Sequence, residues 1–287
     1  MKYILVLVLC TLATSKMSLQ SAFGKSSIKN TTDTLFFNGL VFVFSSLLFC
    51  FELINCPIQV WIYAFFGAVS SVLFQFTYTK SLSIGNVSIT VLIVNMSLVL
   101  NVLFSYLIYG DSISPVRFTG ILLTIATFLL CTNFKGMRDS KAEKKWIFLS
   151  ISAMLTNAVA SLVQKMFGES TFCDFGRAYT ASSYLIAAIL SFVAYYIYKQ
   201  KVQERTFKVG KSVILYTVGM GVILGVFVAI NTYALSTIEG TFLYPTYSGG
   251  TIILSTLSGV LFFKDRLTVK QVLSILVGIV AVVLMNF

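Results

Sequence analysis

Hydrophobic residues run along this chain in long blocks broken by short polar stretches. Ten such runs fall near 3–22, 33–51, 58–82, 84–107, 115–133, 143–166, 176–199, 210–235, 238–263 and 267–287. A bilayer-spanning helix needs about 20 apolar residues, and most of the runs have that length. Backbone in lipid must satisfy its own hydrogen bonds, which leaves helices or a closed barrel. Barrel strands alternate apolar and polar residues over about ten positions, and these runs do not alternate. The pattern predicts an all-α integral membrane protein with ten transmembrane helices. The first run follows Lys2 and leads to small residues at Ala13 and Ser15, which gives it some character of a secretory leader.

An internal repeat argues for keeping that run as a helix. Leu19-Gln20-Ser21-Ala22-Phe23-Gly24-Lys25-Ser26 matches Val163-Gln164-Lys165-Met166-Phe167-Gly168-Glu169-Ser170, 144 residues further on. Tyr78, Gly85 and Asp111 match Tyr233, Gly240 and Asp265 in the same order, 154–155 residues apart. The halves are 1–138 and 143–287, with five helices each, in one membrane domain. An odd number of crossings per half places the halves in opposite orientations. Such inverted repeats are a transporter architecture, with the solute site at their interface.

Composition removes other classes. Of 287 residues, 57% are hydrophobic and 11% charged, against about 25% charged in a soluble domain. There is no histidine, so histidine metal sites and Ser-His catalysis are unavailable. The five cysteines (Cys10, Cys50, Cys56, Cys131, Cys173) show no metal-ligand spacing, and neither a metal nor another cofactor is expected. Net charge is +11, but the basic residues sit in short loops, as topology determinants do, and not in a nucleic-acid patch.

Two turns carry a more specific resemblance: Tyr109-Gly110-Asp111-Ser112-Ile113-Ser114-Pro115 and Phe263-Lys264-Asp265-Arg266-Leu267-Thr268. With the ten-helix layout, they resemble the drug/metabolite transporter superfamily, of the EamA type. That family usually has Glu where both turns here have Asp. The aromatic-Gly usual early in the first helix of each half is also missing. The resemblance implies a central cavity bounded by the first, third, fourth, sixth, eighth and ninth helices. It implies a metabolite or drug as solute.

A charged side chain at bilayer depth is costly and marks a functional candidate. Lys16 follows about a dozen mostly apolar residues, with Gln20 one turn on. It reads as a cation for an anionic solute group, as a proton-exchanging site, or as a lysine snorkelling to the interface. Polar stripes at helical spacing mark the third helix (Ser71, Gln75, Tyr78), the sixth (Asn157, Ser161, Gln164, Gly168) and the ninth (Tyr244, Tyr247, Ser248, Thr251, Ser255, Ser258). The substrate-binding candidates are Lys16, Gln20, Gln75, Tyr78, Asn95, Asn157, Gln164, Asn231, Tyr244 and Tyr247. Lys16 and Glu239 are the coupling candidates. Tyr244-Pro245-Thr246-Tyr247 is a helix-breaking element or a packing kink. Gly221-Val222-Ile223-Leu224-Gly225 reads as a close-packing surface.

These features predict a secondary transporter that moves a small organic solute across the cell membrane by alternating access. The groups around Lys16 favour a carboxylate or phosphate on the solute. The competing readings are a non-transporting membrane sensor or assembly subunit, and a membrane-embedded lipid enzyme. Partners are the solute and the bilayer, with a homodimer compatible with the layout. Sixteen of the 21 basic residues fall in or beside odd-numbered loops, which places the termini outside. The family resemblance places them inside.

Overall fold

The computed structural model describes residues 2–28, 30–109, 114–131, 141–202, 210–238, 240–264 and 267–284. Among them the chain is helical, without strands. The α-helices of the first half are α1 (Lys2–Ser27), α2 (Thr31–Leu47), α3 (Ile58–Ile84), α4 (Val87–Asn95), α5 (Ser97–Tyr109) and α6 (Pro115–Cys131). Those of the second are α7 (Lys141–Gly168), α8 (Gly176–Val202), α9 (Lys211–Thr237), α10 (Gly240–Phe263) and α11 (Val269–Leu284). Short 3-10 turns at Cys50–Leu53 and Cys173–Phe175 precede α3 and α8.

Among the described residues, seven segments are long and apolar enough to cross a bilayer: Tyr3–Ser27, Ile58–Ile84, Val87–Ile108, Lys141–Gly168, Cys173–Val202, Lys211–Thr237 and Thr246–Phe263. The other three apolar runs form α2 and α6, of 17 residues each, and α11, of 16. The fourth run is one apolar segment but two helices. At Met96 the backbone N–H reaches back three residues to Ile93 O at 3.1 Å, a tightened turn that interrupts the α-helical ladder. Of the two readings of Pro245, the helix break does not occur, since α10 continues through it.

Local chemistry sets where helices begin. Asn86 Oδ1 accepts the Ile89 N–H at 3.1 Å and caps α4. Asp33 accepts the Asn30 N–H at 3.1 Å at the start of α2. The broadest packing then joins helices before residue 132 to helices after residue 140. α3 lies along α7 and α8, α2 along α8 and α9, α1 along α9 and α10, and α6 along α11.

The repeated words of the sequence make matching contacts. Gln20 Nε2 donates to Thr79 Oγ1 at 2.5 Å, and Gln164 Nε2 to Thr232 Oγ1 at 2.8 Å. Phe23 stacks on Phe37 with centroids 4.2 Å apart, and Phe167 on Tyr179 at 4.3 Å. Gly24 faces Ser83 of α3, and Gly168 faces Leu235 of α9. The Gly221 and Gly225 pair packs on α2. Ser45 Oγ donates to Gly221 O at 2.8 Å, and a Cβ on Gly221 would lie 2.5 Å from Phe44 Cβ.

Candidate functional site

The longest α-helices cross around one cavity of about 170 Å³. α1 contributes Ala13, Lys16 and Met17, and α3 contributes Gly67, Ser71, Phe74, Gln75 and Tyr78. Both sets follow helical spacing, so each is one face of its helix. α4, its junction and α5 add Val91, Val94, Asn95, Ser97, Leu98 and Asn101. From the second half come Asn157, Ser161 and Gln164 of α7, Phe227, Val228 and Asn231 of α9, and Leu243, Tyr247, Ser248 and Thr251 of α10. The six helices implied by the family resemblance all contribute. So do α2, through Phe42, and α8, through Tyr179, Ser183 and Tyr184.

Lys16 is the charged side chain of this lining. It is 8% exposed, donates from Nζ to Gln75 Oε1 at 3.0 Å, and lies 5.6 Å from the Phe74 ring centre. No carboxylate among the described residues pairs with it. A buried cation held by one amide and an aromatic face is incompletely compensated. Lys165, which borders the sixth-helix stripe, instead faces Glu169 at 3.6 Å, one turn away.

The amides form a polar wall. Asn157 Nδ2 donates to Ser97 Oγ at 2.9 Å, and Asn231 Nδ2 to Gln164 Oε1 at 3.1 Å. Asn95 turns back on its own helix, donating to Val91 O at 2.9 Å. Two buried polar atoms of the lining have no partner among the described residues: Gln75 Nε2 and Asn101 Oδ1.

Eight of the sequence candidates line the cavity: Lys16, Gln75, Tyr78, Asn95, Asn157, Gln164, Asn231 and Tyr247. Gln20 does not. It shares a face with Lys16 but lies one turn further along α1, fully buried against Thr79 of α3. The Tyr244 side chain and Glu239 lie outside the described residues. Sequence reasoning missed Asn101, Tyr179 and Ser183. Asn101 stands six residues after Asn95 in the same apolar run, a signal that was present. Tyr179 and Ser183 follow the polar entry of α8, where nothing in the sequence sets them apart. Among the described residues no group of three His, Cys, Asp or Glu stands together.

The lining does not reach one end of the bundle. There Ser81 and Ser150 hydroxyls meet at 2.6 Å, and Trp146 Nε1 donates to Thr90 Oγ1 at 2.8 Å. Leu82 and Ile89 are fully buried beside them. At the other end the lining includes the first turns of α8 and α10 and the last turns of α7.

Residues 2–133 match the EamA-like transporter family. The EamA-like match spans α1–α6 and takes in the first of the two Asp turns, at residues 109–115. The family is one of membrane transporters, and this chain is a multi-pass membrane protein whose first half carries the EamA-like signature. A solved structure titled "Crystal structure of protein" aligns with a TM-score of 0.67 and 15% identity, over 97% of this chain and 98% of its own. At that identity the likeness is one of fold, and it extends across both the EamA-like half and the remainder. No curated protein matches the chain in sequence.

Proposed function

We propose that this protein is a secondary transporter that moves a small organic solute by alternating access through the central cavity. Ten membrane crossings form two inverted five-helix units, 1–138 and 143–287. The fourth crossing is α4 and α5 together. The observation that carries this reading is the cavity itself: both halves line it, and the Ser81–Ser150 and Trp146–Thr90 contacts lie beyond its lining at one end. A site shared by both halves near the middle of the bundle is what an alternating-access cycle requires.

The matching contacts support a two-fold relation between the halves. Exchanging the halves turns the α3–α7 packing into α9–α1, and α3–α8 into α9–α2, and all four are present. The Gln20–Thr79 and Gln164–Thr232 bonds exchange in the same way. Energy would come from a solute or proton gradient, with Lys16 as the candidate coupling group inside the cavity.

Uptake into proteoliposomes tests the proposal. A panel of labelled metabolites should include at least one that accumulates above empty-liposome controls and shows counterflow when unlabelled solute is preloaded. Absence of counterflow for every member of a broad panel, with correctly inserted protein, would overturn it.

A further inference from the structure

We infer that the cavity holds an oxyanion, a carboxylate or a phosphoryl group, on the paired donors of Lys16 and Gln75. The inference rests on the cavity being the solute site and names the class of solute. Three observations carry it. Lys16 is a buried cation without a carboxylate partner among the described residues. The carboxamide it touches spends its oxygen on that contact, which leaves Gln75 Nε2, 2% exposed as a residue, as a donor with no acceptor. Both side chains line the cavity.

The ammonium and the adjacent NH₂ are thus two donor groups side by side, from α1 and α3. A two-oxygen anion is the complement of such a pair. Charge-assisted hydrogen bonds of this kind are about twice as strong as neutral ones. An oxyanion would supply the missing acceptor and the missing negative charge together. A neutral amide would satisfy the donor but leave the charge. An organic cation would add a like charge where no described carboxylate lies. The remaining lining mixes aromatic side chains, among them Phe74, Tyr78 and Phe227, with the amides of Asn157, Gln164 and Asn231 and several hydroxyls. It fits a compact organic body attached to that head group, with both aromatic and polar lining groups around it.

The test uses four probes with one ring and four head groups: benzoate, phenyl phosphate, benzamide and benzylamine. The detergent-purified full chain is melted with each at millimolar concentration. Benzoate, phenyl phosphate or both should raise the midpoint by several degrees, and their relative shifts tell carboxylate from phosphoryl. Benzamide and benzylamine should not. Lys16→Met should lose at least four-fifths of the shift, and Lys16→Arg should keep part of it. Without ligand, Lys16→Met should melt at or above the parent, because it removes a poorly compensated buried charge. If that variant does not fold, Lys16→Gln serves as the neutral replacement. Equal shifts from benzamide, an undiminished shift in the neutral variant, or no shift from either oxyanion overturns the inference. Anion-specific binding without uptake of the bound probe would instead count against transport and leave the oxyanion site standing. Uptake of neutral solutes at an unchanged rate in Lys16→Met would do the reverse.

Discussion

Two glycines of α9 separate a residue's intrinsic preference from its surroundings. A Cβ at Gly221 would press on Phe44 and lie 2.9 Å from Val41 O, which is backbone and cannot swing away. At Gly219 the nearest atom is Leu19 Cδ1 at 3.9 Å. Overpacking costs about 1–3 kcal/mol, while alanine in a helix gains up to ~1 kcal/mol over glycine. Gly221→Ala should therefore lower the melting temperature in detergent, and Gly219→Ala should raise it, although the two sites are half a turn apart. At this scale the sequence was readable where chemistry conflicted with setting. Lys16 stood out as a charge in an apolar run, and Gln75 as an amide on a helical stripe. Gln20 shows the limit. Helical spacing gives the direction a side chain points but not which neighbour covers that level of the helix, and α3 covers Gln20 completely. Tyr179 was hidden for a related reason. Its partner Phe167 belongs to another helix, and nothing in the α8 sequence announces the stacking.

Helix positions were legible because apolar length and polar punctuation decide them, and nine of the ten runs gave one α-helix each within a few residues. The exception is the fourth, where the change of hydrogen bonding at Met96 has no proline or glycine to mark it. The most consequential contact between elements is Trp146 of α7, seated over Gly85 at the α3–α4 junction. A Cβ on Gly85 would overlap the indole. The same indole holds Thr90 in the first turn of α4. Gly85→Ala should unseat the ring and loosen the sealed end of the cavity. The chain has two tryptophans, Trp61 and Trp146, so the emission of Trp146 can be read alone in a Trp61→Phe background. Adding Gly85→Ala should shift its maximum to longer wavelength by several nanometres. An unchanged spectrum would show that the ring keeps its seat.

For the whole molecule, the words around Gln20 and Gln164 suggest a repeat, but the intimacy of the segments before and after residue 140 was not legible in the sequence. Sequence separates them by the stretch near 135–145, whereas packing interleaves them, with α3 between α7 and α8 and α2 between α8 and α9. Neither half encloses the cavity or covers its own helices. Fragments 1–138 and 139–287 expressed separately should be degraded or aggregate. Expressed together, they should co-purify at a substantial fraction of the intact yield, as measured by pull-down through a tag on one fragment. The interleaving also has a consequence for synthesis in the cell. Ser81 awaits Ser150, which is 69 residues later, and Ser45 awaits Gly221, 176 residues later. At roughly 5–20 residues per second, the first of these delays alone lasts about 3–14 seconds. Through that interval the nascent first half sits in the bilayer with polar groups facing lipid or the insertion machinery. The ribosome's pace, and whatever shelters those groups meanwhile, therefore belongs to how this protein reaches its folded state.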